Sequence, residues 1–124
     1  MKSILIVTDV DFWQRGSGNR IRIAALLRYL SENFAISVIY TGDIKPPTSY
    51  PHAAILPIGK ANAKSSKYCI NLIRTLFKKI SFKVCIIEYI HQSYFLNYLP
   101  PGTLTILDTH DIQSEKNKSF NAFN

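Results

Sequence analysis

The chain has 124 residues, 47% of them hydrophobic, with mean hydropathy near zero and a formal net charge of +7. That length supports one domain with a real core, and the composition suits a soluble globular protein, not a disordered or fibrous one. Cys69 and Cys85, the only cysteines, have neither a metal-ligand spacing nor a disulfide framework, so both are expected as buried thiols of a cytoplasmic protein.

The apolar run Ile4 to Thr8 reads as a first strand. It is about five residues long and meets Asp9, too short for the apolar core of a signal peptide or for a membrane span. A loop leads to Gly16-Ser17-Gly18. Asn19 to Glu32 then have helical spacing, with an apolar stripe of Ile23, Leu26, Leu27 and Leu30. Ile36 to Tyr40 form a second strand. Pro46, Pro47, Pro51 and Pro57 favour a loop from Thr41 onward, broken by a short third strand at Ala53 to Leu56. Lys64 to Ile80 reads as an amphipathic helix with Cys69, Leu72, Ile73, Leu76, Phe77 and Ile80 on one face. Val84 to Glu88 is an unbroken apolar run of the kind found in central parallel strands. Ser93 to Tyr98 reads as a short helix stopped by Pro100-Pro101-Gly102. Leu104 to Leu107 form a fifth strand before Asp108-Thr109-His110-Asp111.

Alternating strands and helices predict an α/β fold, a doubly wound parallel sheet of Rossmann-like type. The expected strand order is third, second, first, fourth, fifth, with right-handed crossovers. The topological switch falls between the first and fourth strands, and ligands of such sheets bind outside the carboxyl ends of the strands there. Three segments meet at that edge: Asp9 to Gly18, Glu88 to His91, and Asp108 to Asp111.

The glycine turn leaves bare backbone at a helix N-terminus, a seat for phosphate; glycines there also serve simply to make a tight turn. It is not a dinucleotide fingerprint, since seven residues separate Thr8 from Gly16 and Ile21 stands where a third glycine belongs. No P-loop lysine pattern occurs. Asp9-Val10-Asp11 after a strand has the form of a haloacid-dehalogenase-type aspartate pair, but Phe12-Trp13 fits that loop poorly and no clear lysine motif follows. His110, between Asp108 and Asp111, suits an acid–base group or a ligand of sugar hydroxyls, and equally a loop histidine bonded to a neighbouring carboxylate. Glu88 and His91 admit both binding and structural roles.

The charge is concentrated. Lys60, Lys64, Lys67, Arg74, Lys78, Lys79 and Lys83 lie in a segment without an acid, and the remaining eight cations equal the eight acids of the whole chain. Such a run is a solvated face or a docking surface for a polyanion. Tyr68, Phe77 and Phe82 are too scattered to make a stacking platform, so nucleic acid is not the expected partner. Anionic lipid is, with about 1 kcal/mol available per cation at such a surface.

Taken in order, Ile4 to Thr8, Arg15-Gly16-Ser17-Gly18-Asn19-Arg20-Ile21-Arg22-Ile23, Val84 to Glu88 with Tyr89 and His91, and Leu104 to Asp111 resemble the N-terminal half of bacterial GT-B glycosyltransferases of the retaining, family 4-like group. The resemblance covers nearly the whole chain. Many relatives have adjacent glycines in the first loop, whereas Ser17 separates them here. The resemblance implies transfer of a sugar from a nucleotide-sugar donor to a sugar or lipid-linked acceptor with retention, in polysaccharide or glycolipid biosynthesis and without a cofactor or metal. It implies that Arg15, Gly16, Ser17, Gly18, Arg20, Glu88, His91 and Asp108 surround donor and acceptor. His110 and Asp111 would sit at the reacting sugar. Attack would come from the front face, the leaving diphosphate taking the proton, so stabilising its charge dominates the barrier.

A GT-B enzyme closes two Rossmann-like domains around its donor, the second supplying most nucleotide contacts. The chain ends at Phe120-Asn121-Ala122-Phe123-Asn124, within a continuing helical pattern. The expectation is one acceptor-side domain over residues 1–124, truncated at its C-terminus and inactive alone. It would bind nucleotide sugar only together with the second domain. The alternative is a noncatalytic Rossmann-like module that uses its basic segment to bind a polyanion or the inner face of the cell membrane.

Overall fold

The computed structural model describes residues 1–108. Strands β1 (Lys2–Thr8), β2 (Phe34–Tyr40), β3 (Ala54–Pro57), β4 (Phe82–Glu88) and β5 (Thr105–Asp108) form one parallel sheet in the order β3-β2-β1-β4-β5. This is the strand order expected from the sequence, and it puts the topological switch between β1 and β4. Strand faces alternate, so β1 divides its apolar residues between two cores. Ile4 and Ile6 face helix α1 (Gly18–Leu30), packing with Ile23, Leu27, Val38 and Ile86. Leu5 and Val7 face helices α2 (Gly59–Ala63) and α3 (Ser66–Lys79) and a 3-10 segment (Ile90–Tyr98), packing with Ala63, Cys69, Ile73, Cys85 and Phe95. The sheet is therefore covered on both sides, and the chain has an α/β, Rossmann-like fold.

The structure redraws some boundaries. The basic helix does not begin at Lys64. Residues 59–63 make a separate short helix, and the Ser65 hydroxyl accepts the Tyr68 backbone N–H at 3.2 Å to start α3. Ser at an N-cap satisfies one of the donors that a helix start leaves orphaned. The expected helix at Ser93 to Tyr98 is a 3-10 segment beginning at Ile90. Helix α1 closes at Leu30 because the Ser31 backbone turns back on Leu27, with its hydroxyl donating to the Arg28 carbonyl. At the sheet edge, Leu104 before β5 and Ile106 within it remain 60% and 50% exposed, so β5 has far less cover than the central strands.

Among the described residues, no helix is long and apolar enough to cross a membrane.

Candidate functional site

The loop after β1 is long, yet it is built in rather than draped. Phe12 is 2% exposed and meets Trp13 and Tyr50 edge-on, with ring centroids 5.1 and 5.2 Å apart; Trp13 meets Tyr40 in the same way at 4.8 Å. Such contacts add to the apolar area these rings bury. Arg20 grips Asp11 through two hydrogen bonds of 3.1 and 2.9 Å and donates a third to the Arg15 carbonyl at 2.8 Å. Asp11 is thus engaged by a guanidinium, and the paired-aspartate reading of Asp9-Val10-Asp11 loses its second carboxylate.

The glycines of the turn differ in kind. Gly16 has φ of 92°, a backbone region that L side chains rarely adopt. Ser17, at φ of 37°, follows in a left-handed conformation and caps α1 by accepting the Arg20 N–H at 3.3 Å. Gly18 needs no such freedom, and a Cβ there would meet nothing within 4 Å. Gly16 is a requirement of the fold, whereas Gly18 leaves open space at the head of α1.

Above the carboxyl ends of β4 and β5 lies a cluster organised by Arg22. From α1 its guanidinium donates to Asp108 Oδ2 at 2.8 Å, Glu88 Oε2 at 3.2 Å and the Tyr89 hydroxyl at 2.9 Å. Glu88 and Asp108 are register partners on adjacent strands, so both carboxyls project from the same face. Glu88 is fully buried and reaches Arg22 through Oε2; among the described residues its Oε1 has no hydrogen-bond partner. Burial first, and then the neighbouring Asp108 carboxylate, push the Glu88 pKa up to about 8, against the opposing pull of Arg22. Burial works against the Arg22 charge. The Tyr89 hydrogen bond and the charges of Glu88, Tyr89 and Asp108 nonetheless raise its pKa above the ordinary value. Tyr89 turns the chain out of β4 at φ of 72°, and its backbone N–H reaches the Asp108 carbonyl at 2.6 Å. A non-glycine residue held in that region marks a site over-determined by its surroundings.

On the opposite face of the sheet a pocket of about 470 Å³ opens beside the ends of β1 and β2. It is lined by Asp9 and Thr41, which follow those strands, by Lys60, Ala63 and Lys64 in and just after α2, and by Gln92, Tyr94 and Tyr98 of the 3-10 segment. Its polar lining is fixed by a relay. The Tyr94 hydroxyl donates to Gln92 Oε1 at 3.2 Å, Gln92 Nε2 donates to Thr41 Oγ1 at 3.0 Å, and Thr41 Oγ1 reaches the Thr8 carbonyl at 3.4 Å. The Lys60 N–H is held by Asp43 Oδ1 at 2.9 Å.

The structure thus brings Glu88 and Asp108 together at one edge. It places Arg15, Gly16, Ser17, Gly18 and Arg20 in the loop and first turn of α1, with Arg20 committed to bracing that loop. His91 has its backbone in the 3-10 segment. His110 and Asp111 lie outside the described residues. The seven cations of the basic segment do not share one surface. Lys60 and Lys64 line the pocket. Lys67, Arg74 and Lys78 recur at helical spacing along the outer side of α3, opposite the buried Cys69 and Ile73. Lys79 ends that helix. Lys83 stands near the start of β4 beside Lys2, a proximity that lowers its pKa.

Sequence reasoning passed over Arg22, Thr41, Gln92 and Tyr94 as site residues. Arg22 did leave a signal: it sits four residues before Leu26, on the apolar stripe of its helix, where a cation implies an acid beneath. Thr41, Gln92 and Tyr94 left none, because their partners lie across the fold.

Comparison of the chain with protein-family profiles, curated protein sequences and solved structures gives no match.

Proposed function

We propose that the chain is the acceptor-side domain of a glycosyltransferase that moves a sugar from a nucleotide-sugar donor with retention, in polysaccharide or glycolipid biosynthesis. One observation carries this reading. The open glycine turn at the head of α1, the Arg22–Glu88–Asp108 cluster and the pocket beside Asp9 all gather at the carboxyl ends of the strands around the β1–β4 switch, where α/β sheets bind ligands. In this reading the turn approaches donor phosphates and acceptor. Arg22 holds the carboxyls of Glu88 and Asp108 in place, and His110 and Asp111 serve the reacting sugar. A second Rossmann-like domain supplies the main nucleotide contacts. The basic ridge of α3, with no acid within the helix, supports a further role in peripheral docking on anionic lipid at the cytoplasmic face of a membrane.

The test is titration of the isolated chain, followed by calorimetry and backbone amide NMR, with nucleotide sugars and with simple saccharides. Saccharides are expected to shift the amides of Asp9, Gly16 to Gly18 and Thr41, and nucleotide sugars to bind weakly. A low-micromolar dissociation constant for a nucleotide sugar, about −8 kcal/mol, would refute the division of labour between two domains. Saccharide-induced shifts confined to other surfaces would refute the site.

A further inference from the structure

The pocket beside Asp9 has a charge pattern that a neutral sugar does not need. Two lysines, Lys60 and Lys64, are in its lining, and among the described residues the one carboxylate there is Asp9. The two lysines lie one helical turn apart, at the start of α2 and just past its end, so their side chains leave the same side of that helix. Neither has an ion pair with an acid among the described residues. The remaining lining is of another kind. Tyr94 and Tyr98 offer ring surface, their centroids 6.2 Å apart with planes at 75°. Gln92 and Thr41, 4% and 2% exposed, are locked by their mutual hydrogen bond and keep fixed polar atoms at the rear.

We propose that this pocket binds a sugar bearing an anionic group, a carboxylate or a phosphate, with Lys60 and Lys64 taking the anion. The proposal rests on the acceptor-side reading above and names the chemical class of the acceptor. Each part of the lining has a role in it. The ammonium groups make charge-assisted hydrogen bonds to the anion, about twice as strong as neutral ones. Asp9, whose charge is opposite to that of the lysines, accepts from ring hydroxyls and disfavours an anion set against it, which fixes orientation. The tyrosine rings pack against the C–H face of the pyranose. The volume of about 470 Å³ falls within the range of small-molecule sites and suits one or two sugar units rather than a lipid chain. The anion is read by two point charges on flexible stems, so the site accepts either carboxylate or phosphate, where a rigid arginine fork would demand planar geometry.

The experiment titrates the chain with glucuronate, glucose 1-phosphate, glucose and inorganic phosphate, following backbone amides by NMR, in the wild type and in two double variants. Lys60→Ala with Lys64→Ala removes the pocket cations; Lys78→Ala with Lys79→Ala removes two cations from the far end of α3. At least one anionic sugar should bind about tenfold more tightly than glucose and inorganic phosphate, the equivalent of about 1.4 kcal/mol, with shifts at Asp9, Thr41, Lys60, Lys64 and Gln92. The pocket variant should lose that advantage and the α3 variant should keep it. Which of glucuronate and glucose 1-phosphate binds better identifies the anion. Equal binding of glucose in the pocket would overturn the anionic specificity and leave the acceptor-side reading standing. Failure of every sugar to shift the pocket amides would overturn both. Loss of binding in the α3 variant as well would show a nonspecific charge effect and overturn the assignment to Lys60 and Lys64.

Discussion

Replacing Glu88 with glutamine tests the buried cluster directly. Glu88 is fully buried, with a pKa pushed from 4.5 up to about 8 by burial and by the carboxylate of Asp108. Between those values the folded chain holds a proton that the unfolded chain has released. The unfolded state binds fewer protons there, so stability falls as pH rises through the window. Below 4.5 both states are protonated and the full stability is present; above about 8 both are ionised and the loss is complete. At about 1.4 kcal/mol per pH unit, the interval sets a ceiling of about 5 kcal/mol on the loss. That is a large part of the stability of a domain this size. Glu88→Gln keeps the side chain's size and an acceptor for Arg22 while removing the ionisable proton. The variant should match the wild type within about 1 kcal/mol near pH 5 and lose much less stability toward pH 9, because substitution by an isostere that preserves packing is usually mild. Urea unfolding at a series of pH values, read by circular dichroism, measures both curves. A wild type whose stability is flat from about pH 5 to 9, or a variant that declines in parallel with it, would refute the assignment of a proton to Glu88.

Three further outcomes follow from the geometry. Gly16→Ala should cost about 1 kcal/mol or more, because φ of 92° strains any side chain, whereas Gly18→Ala should leave the melting temperature unchanged; equal destabilisation by the two would refute their different roles. Phe12→Ala should cost about 3–5 kcal/mol in chemical denaturation, as for a fully packed core aromatic, and a loss under about 1 kcal/mol would mean that the loop after β1 is not anchored by its rings. Co-sedimentation with vesicles should depend on anionic lipid, fall with salt and drop when Lys67, Arg74 and Lys78 are changed together to alanine; equal recovery with neutral vesicles, or no binding at low salt, would leave the ridge as a solvated face.

Much of this protein is legible in local pattern. The unbroken run at Val84 to Glu88 marks a strand buried on both faces, and Cys69, Ile73, Leu76 and Ile80 mark the inner face of α3, because periodicity reports directly which side of an element meets apolar neighbours. Strand order follows as well, since the handedness of crossovers leaves few alternatives. From that order, Glu88 and Asp108 can be placed at one edge before any coordinate is known. What periodicity does not carry is the partner of a polar side chain. Arg22 meets Asp108 across 86 residues of chain, and Gln92 meets Thr41 across 51. These pairings arise only when the sheet brings the strand ends side by side. Tertiary structure also separated charges that form one run in sequence. Helix α3 carries the chain from the pocket back toward the base of the sheet, so Lys60 and Lys64 line one pocket with Asp9 while Lys83 ends beside Lys2. Charge in sequence is a sum, but a binding site depends on which of those charges the fold leaves close enough to act on one ligand.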